Sequence, residues 1–451
     1  MTLRFGTDGV RGVANRELTA ELVTALGRAA VRVLGHEQPF VVGRDTRRSG
    51  PMLEAALVAG ICSEGADVVL AGVLPTPGVA FLARERGAPG VIISASHNPF
   101  ADNGIKLLAP GGRKIPEAVE IEIERELREL AVSQPDPGPA GFGVGVSSEH
   151  RTALDDYVAS LVDALQGRHL TGLHVVIDCG NGAAFRAAPT ALRSLGATVD
   201  VLHAAPDGVN INADCGSTHP GDVQEAVVAT GANAGLAVDG DADRVIAVDE
   251  RGELVDGDQI LAVAALDLHD RKLLRGDAVV ATVMSNLGLR RALEPYGIHL
   301  LETPVGDRNV LDELEQRNLA LGGEQSGHVI FADHATTGDG TLTGLFLLDV
   351  MARRGRPLSE LASVMHRVPQ VLRNVAVDGA TLNGDAAFWS RVRDVDDELG
   401  DDGRVLVRPS GTEPLVRVMV ESTDADAAVE VADRLVELVE HAASRAAPAR
   451  R

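Results

Sequence analysis

Three aspartates stand at alternate positions in "LAVDGDADRVIAVDE": Asp239, Asp241 and Asp243, directly followed by Arg244. They leave an apolar run that reads as a strand, so their carboxylates can converge on one hard cation such as Mg²⁺. The plain alternative is a solvated acidic turn. An EF-hand is excluded: Glu250 falls at the twelfth loop position, but Arg244 occupies the sixth, where that loop needs glycine, and both flanks read as strands. A phosphatase with a nucleophilic aspartate also uses D-x-D after a strand. A third aspartate followed by arginine fits better a metal cage beside an anion site.

A second chemical stretch is "GVIISASHNPFADNGIK", residues 90–106, where an apolar run ends in Ser94, Ser96 and His97 and closes on Lys106. Ser96 is either a hydrolase nucleophile or a carrier of phosphate. The G-x-S-x-G elbow is missing. Neighbouring residues on a strand point to opposite faces, so His97 is not expected to deprotonate Ser96. A serine that accepts and donates a phosphoryl group needs a divalent cation to neutralise charge and an acid/base group nearby; the aspartate loop and Lys106 can supply them. Ser94 and His97 are then expected to shape the loop.

Three further turns carry polar groups at strand ends. In "LVRPSGTEPLVRV", Arg408, Ser410, Gly411, Thr412 and Arg417 combine hydroxyls, backbone N–H groups around a glycine and guanidinium forks, which are phosphate donors. In "LGGEQSGHVIF", Glu324, Ser326 and His328 can meet sugar hydroxyls or an ammonium, or can be a polar turn in which Gly327 only supplies a positive φ. "TPVGDRNV" offers Asp307 and Arg308 with the same ambiguity.

The elements that must hold these turns recur. A strand, a polar turn, an Ala/Leu-rich helix with a glycine near its end and a second strand appear in "PFVVGRDTRRSG" to "SEGADVVLAGVLPTPG". They recur in "LHVVIDCGNGAA" to "RSLGATVDVL", and in "DAVVATVMSNLGLRRAL" to "EPYGIHLLETPVGD". Each reads as a strand–helix–strand crossover. Breaks at the Pro/Gly-rich 131–145, at 248–260 and at 367–374 divide the chain into 1–149, 150–252, 253–368 and 369–451. The last segment pairs strand-like "RVLVRPSGTEPLVRVMVES" with a helix over 424–441 whose Ala428, Val431, Leu435 and Leu438 share a face. The fold class expected is α/β, three similar domains and a small C-terminal α+β domain.

Bulk properties narrow the partners. The 451 residues exceed what one core organises, and aromatic residues are only 3%, so aliphatic side chains must do the packing. A net charge of −23 argues against nucleic acid, which demands a basic face. Cys62, Cys179 and Cys215 sit at unrelated spacings, as expected for reduced thiols in the cytoplasm. No signal-like or membrane-length apolar run is visible, so no membrane partner is expected.

Taken together, "SASHNP", "DGDADR", "GEQSGH" and "RPSGTEP", one per segment and in that order, resemble the α-D-phosphohexomutase family over nearly the whole chain. "FGTDGVRG", "GEQSGH", "TPVGDR" and "PQVLRNV" resemble the branch acting on glucosamine phosphates, which supplies amino-sugar nucleotides and cell-wall precursors. The alternatives within reach are a glucose- or mannose-phosphate mutase and a non-catalytic sugar-phosphate-binding protein. The resemblance implies four domains with mixed sheets around a central cleft, a monomer or homodimer, and one Mg²⁺ per chain held by Asp239, Asp241, Asp243 and phosphorylated Ser96. It implies Lys106 and Arg11 beside the transferring phosphoryl group, with Lys106 as general acid/base. Arg244 would lie by the phosphoserine, and His328 would assist at the sugar. Asp307, Arg308, Glu324 and Ser326 would contact substrate, and the 408–417 turn would hold the non-reacting phosphate. A hexosamine 1,6-bisphosphate is the implied intermediate and activator.

Overall fold

The protein is described here from a computed structural model covering residues 5–6, 9–132, 138–377, 382, 384–409 and 415–446. By packing, the chain divides into two compact units. One is Met1–Thr282 with Leu300–Val364, and the other is Val283–His299 with Met365–Arg451.

The larger unit holds three mixed sheets. In the first, Phe40–Arg44 and Val68–Val73 pair in parallel across the helix Gly50–Ser63, as the crossover pattern predicts. The strand Gly90–Ile93 lies parallel to Phe40–Arg44 on one side and antiparallel to Asp102–Ala109 on the other. All four residues of Gly90–Ile93 are buried, which is why they read as an uninterrupted apolar run rather than an alternating one. Helices Ala20–Leu34, Gly50–Ser63 and Glu117–Val132 cover one face through Leu26, Leu57 and Ile123.

The second sheet runs Leu254–Val255, Val245–Asp249, Ala234–Val238, His174–Asp178, Thr198–Leu202, the last three strands parallel. The third is ordered His299–Thr303, Ala278–Thr282, Leu321–Gly323, Val329–Phe331. The turn into this third segment is fixed by a reciprocal cap: the Asp256 carboxylate accepts the Gln259 N–H and the Gln259 side chain accepts the Asp256 N–H.

The smaller unit is a three-stranded antiparallel sheet, Gln370–Val375, Val416–Ser422, Gly403–Pro409, with helices Ala386–Leu399 and Ala425–Ala446. Phe388, Val418, Ala428 and Leu435 form its core, in line with the helical spacing seen in the sequence. The short helix Leu287–Leu293 groups with this unit although the chain order puts it in the third crossover. Its cap explains why: the Asn286 amide donates to Val368 O and to Glu421 Oε1. No helix among the described residues is long and apolar enough to cross a membrane.

Candidate active site

Where Gly90–Ile93 ends, the backbone turns. Ser96 adopts φ of +51°, a left-handed conformation that a non-glycine residue holds only when its surroundings enforce it. The enforcement comes from Arg47. This side chain, with no exposed surface, donates to Ser96 O at 2.9 Å, Asn98 O at 2.8 Å and Asp102 O at 3.0 Å, and also to Pro99 O. Asp45, equally buried, accepts from Arg47 Nε at 2.8 Å and from Ser94 Oγ at 2.6 Å. Asn212 Nδ2 donates to Ser96 O at 2.9 Å from the second sheet's side.

The aspartate loop meets this turn head on. A Cβ on Gly240 would lie 2.5 Å from Ser96 O, so a glycine inside D-G-D is what lets the two loops touch. Ser96 Oγ then donates to Asp239 Oδ2 at 2.5 Å. Asp241 Oδ2 accepts from Thr76 Oγ1 at 2.6 Å and from Lys106 Nζ at 2.9 Å, and Lys106 Nζ lies 3.6 Å from Asp243 Oδ2. Lys106 arrives because its strand pairs Ile92 with Lys106 in antiparallel register, one strand over from the serine turn. In the adjoining strand Arg11 is paired with Gly104, and its Cγ is 3.1 Å from where a Gly104 Cβ would stand.

These residues fit a hard divalent cation. One carboxylate oxygen from each of Asp239, Asp241 and Asp243 lies within 4.8 Å of the others, all three residues being buried. Asp241 Oδ1 and Asp243 Oδ1 are buried and accept no hydrogen bond. Burial, then Asp243 and Asp241, push the Asp239 carboxyl well above the usual carboxylate range. Burial acts the same way on Asp243, but Lys106, His328 and Arg244 outweigh it and hold that carboxyl well below the range. The cluster therefore combines crowded, buried carboxylates with oxygen acceptors left over, which is the donor set Mg²⁺ takes.

Several expectations change. His97 does reach the serine: its Nδ1 is 3.3 Å from Ser96 Oγ and 3.4 Å from Arg244 Nη1. The strand rule fails because Ser96 is already out of the strand, in the left-handed turn. Arginine only donates, so Nδ1 is an acceptor, and burial followed by Arg244 and Arg11 pulls the His97 pKa down; the ring is neutral.

His328, expected at the sugar, is buried with Nδ1 3.7 Å from Asp243 Oδ2 and Nε2 accepting the Gly338 N–H at 3.0 Å. Although burial opposes it, Asp243 draws the His328 pKa up to about 9. The Gly338 N–H nevertheless needs a lone pair on Nε2, so we take the ring as neutral with its proton on Nδ1 facing Asp243.

Arg308 is engaged within the protein, donating to Glu120 at 2.6 and 3.3 Å and to Ile115 O at 2.9 Å, while Lys114 Nζ holds Asp307 at 3.1 Å. Glu324 Oε1 accepts the Gly306 N–H and Oε2 the Ser326 hydroxyl, both at 3.2 Å, and Ser326 is exposed. Lys106, Thr76, Asp243, Asp307, Arg308 and His328 line a cavity of about 340 Å³, within the range of small-molecule sites.

In the smaller unit, Arg408 and Arg417 are directly opposite across the Gly403–Pro409/Val416–Ser422 pair. Like charges so placed repel; burial and then Arg417 lower the Arg408 pKa. Ser410, Gly411 and Thr412 lie outside the described residues. Arg47, Asp45, Thr76 and Asn212, which hold this site together, belong to none of the motifs legible in the sequence. The only local signal was the buried-strand exit "VVGRDTRRSG", whose charged residues follow a run with no polar face.

Profiles of four phosphoglucomutase/phosphomannomutase domains match the chain: alpha/beta/alpha domain I over residues 2–132, domain II over 155–252, domain III over 256–368, and the C-terminal domain over 349–438. The chain belongs to the phosphoglucomutase/phosphomannomutase family. Among curated relatives, it is 54% identical over 447 residues to a phosphoglucosamine mutase of Streptomyces avermitilis, covering 97% of this chain and 99% of that one. A phosphoglucomutase/phosphomannomutase family protein of Burkholderia thailandensis superposes with a TM-score of 0.82 at 28% identity, over 100% of this chain and 98% of the other. The N-acetylphosphoglucosamine mutase of Aspergillus fumigatus, solved with GlcNAc-6P and magnesium, shares the fold with a TM-score of 0.70 at 16% identity, covering 98% and 96%.

Proposed function

We propose that this enzyme, an isomerase of the phosphotransfer type, interconverts glucosamine 6-phosphate and glucosamine 1-phosphate by passing a phosphoryl group through Ser96. The observation that carries the reading is Ser96 Oγ, 2.5 Å from Asp239 in a buried acidic cluster that also holds Lys106. The 54% identity to a phosphoglucosamine mutase over nearly the full chain supports the amino-sugar substrate.

In the first half-reaction the sugar 1-hydroxyl attacks the phosphorus carried by Ser96. A bond forms from O1 to phosphorus and the bond from Oγ breaks, while Lys106 Nζ gives a proton to the departing Oγ and takes the hydroxyl proton in its place. A 1,6-bisphosphate results. After the bisphosphate turns over in the site, Ser96 Oγ attacks the 6-phosphoryl group, its proton passes through Lys106 to O6, and glucosamine 1-phosphate leaves. Asp239, Asp241 and Asp243 hold Mg²⁺, which when bound neutralises phosphoryl charge as it moves. Arg11 and Arg244 supply further donors to the phosphoryl oxygens, and His328 orients Asp243 from behind. Arg408 and Arg417 are assigned to the phosphate that is not reacting, and Ser410, Gly411 and Thr412, which lie between them in the sequence, are assigned with them. Glu324 and Ser326 meet sugar hydroxyls.

A coupled assay for glucosamine 1-phosphate formed from glucosamine 6-phosphate tests this directly. Turnover should vanish in Ser96→Ala. Turnover of glucose or mannose phosphates alone would overturn the substrate assignment, and an active Ser96→Ala enzyme would overturn the mechanism.

A further inference from the structure

The second sheet carries another cluster at the C-terminal ends of its parallel strands, where α/β sheets place ligands. Asp178 ends the strand His174–Asp178, His203 follows the neighbouring strand Thr198–Leu202, and Cys215 lies in the loop beyond. One ligand-type atom from each, a carboxylate oxygen, an imidazole nitrogen and the sulfur, lies within 4.8 Å of the others. We propose that Asp178, His203 and Cys215 form a second cation site that binds Zn²⁺ or a similar sulfur-tolerant divalent ion.

Two observations favour an ion over a closed ion pair. His203 Nδ1 is buried and forms no hydrogen bond, although it is 3.0 Å from Asp178 Oδ2; contact without alignment leaves this nitrogen unsatisfied. Its other nitrogen, Nε2, lies 3.2 Å from Asp222 Oδ2, the carboxylate that commonly backs a metal-bound imidazole. An imidazolium wedged between Asp178 and Asp222 would explain the two carboxylates. It would not explain the unaligned Nδ1 or the sulfur beside it.

The rest of the surroundings suits a built site. Gly180 N–H donates to Asp178 Oδ1 at 2.8 Å and Gly216 N–H to Oδ2 at 2.9 Å, fixing the carboxylate while leaving each oxygen a further lone pair. Mixed O, N and S donors select Zn²⁺ over Mg²⁺, which prefers oxygen only. Metal–ligand bonds of ~2.0–2.3 Å ask for ligand separations of roughly 3.5 Å, so closing from the present spacing needs only side-chain adjustment. Entry is from solvent past His203, whose side chain is 28% exposed. Burial, then Asp178, Asp222 and Asp214, push the Cys215 thiol up to about 12, so binding breaks its S–H bond, forms a sulfur–metal bond and releases the proton to solvent. The site adjoins the serine turn: Asn212, three residues before Cys215, donates to Ser96 O. An ion here stiffens that support.

The test uses the full chain stripped of metal, saturated with Mg²⁺ and titrated with Co²⁺, whose thiolate complexes absorb in the near ultraviolet. An ion that displaces Mg²⁺ from Asp239, Asp241 and Asp243 meets no sulfur and gives no such band. One equivalent should develop the band, Zn²⁺ should abolish it by competition, and one proton or more should be released per ion. Asp222→Asn should weaken Co²⁺ binding about tenfold. The band should be lost in Cys215→Ser and in His203→Ala, and kept in Cys62→Ser. Circular dichroism checks folding, and the partly exposed His203 gives a variant that stays folded if Cys215→Ser does not. No thiolate band at one equivalent of Co²⁺, or a band that survives in the folded variants, would overturn the site.

Discussion

Ser96, Lys106 and the three aspartates divide the work by charge. In the proposed reaction the serine would supply an oxygen, the acids a place for a cation, and the lysine, 2.9 Å from Asp241, a proton carrier. If Lys106 moves that proton, Lys106→Ala should lower kcat by about 10²–10⁴. KM should change much less, and the Ser96 phosphate, once installed, should persist longer in rapid-quench assays. A lysine that only balanced the acids would instead show its loss in cation affinity. A different buried carboxyl sets a pH dependence of stability. Asp339 caps the helix Gly340–Arg354, accepting from Leu342 N and from the Tyr157 hydroxyl, each at 2.9 Å, and burial raises its pKa to about 6. A raised acid pKa means that the folded state binds the proton more tightly. Asp339 therefore stabilises least above pH ~6, and its contribution improves as pH falls toward the unfolded value near ~4. Asp339→Asn should remove that dependence and match or exceed the parent free energy of unfolding at pH 7, by ~2–3 kcal/mol at most, with the advantage gone by pH ~4 in denaturant titrations.

At the scale of elements, the serine turn is a backbone feature held by one side chain. Arg47 donates to four carbonyls of the turn and pairs with Asp45, all without solvent. Arg47→Met leaves a buried, unpaired Asp45 and should cost about 3–5 kcal/mol by denaturant titration. Arg47→Lys keeps the charge but not the planar fork, so it should fold and still lose most of the rate. This is also where the sequence stopped being informative. The acidic loop, the serine turn and the Arg408/Arg417 pair were legible because their chemistry is local: alternate aspartates, a strand exit, two arginines around a turn. Arg47 was not, because "GRDTRRSG" offers three arginines and nothing local says which one turns inward. His97 misled because strand alternation was carried to Ser96 and His97, three and four residues past the strand's end at Ile93. The mixed sheets and crossovers were readable from buried strands and glycine-ended helices. The grouping of Leu287–Leu293 with the C-terminal strands depends on a long-range cap to Val368 and Glu421 that no periodicity reveals.

At the scale of the molecule, the three α/β segments of the larger unit must keep serine, aspartates and lysine in register. Arg308 and Glu120 are one clasp between the first and third segments, with Lys114 and Asp307 beside it. In a double-mutant cycle on unfolding, Glu120→Ala and Arg308→Ala should each destabilise, and the pair together should cost less than the sum, with coupling of about 1–3 kcal/mol. If Arg308 chiefly grips substrate, its variant should raise KM many-fold and show no such coupling. The central claim concerns the whole cycle, in which one serine both gives and receives phosphate. Rapid-quench mixing of dephosphorylated enzyme with ³²P-labelled glucosamine 1,6-bisphosphate, followed by peptide mapping, tests it most directly. Label should appear on the peptide containing Ser96 within a single turnover and leave it when unlabelled glucosamine 6-phosphate is added. Turnover at the normal rate with no label on Ser96 would contradict the account.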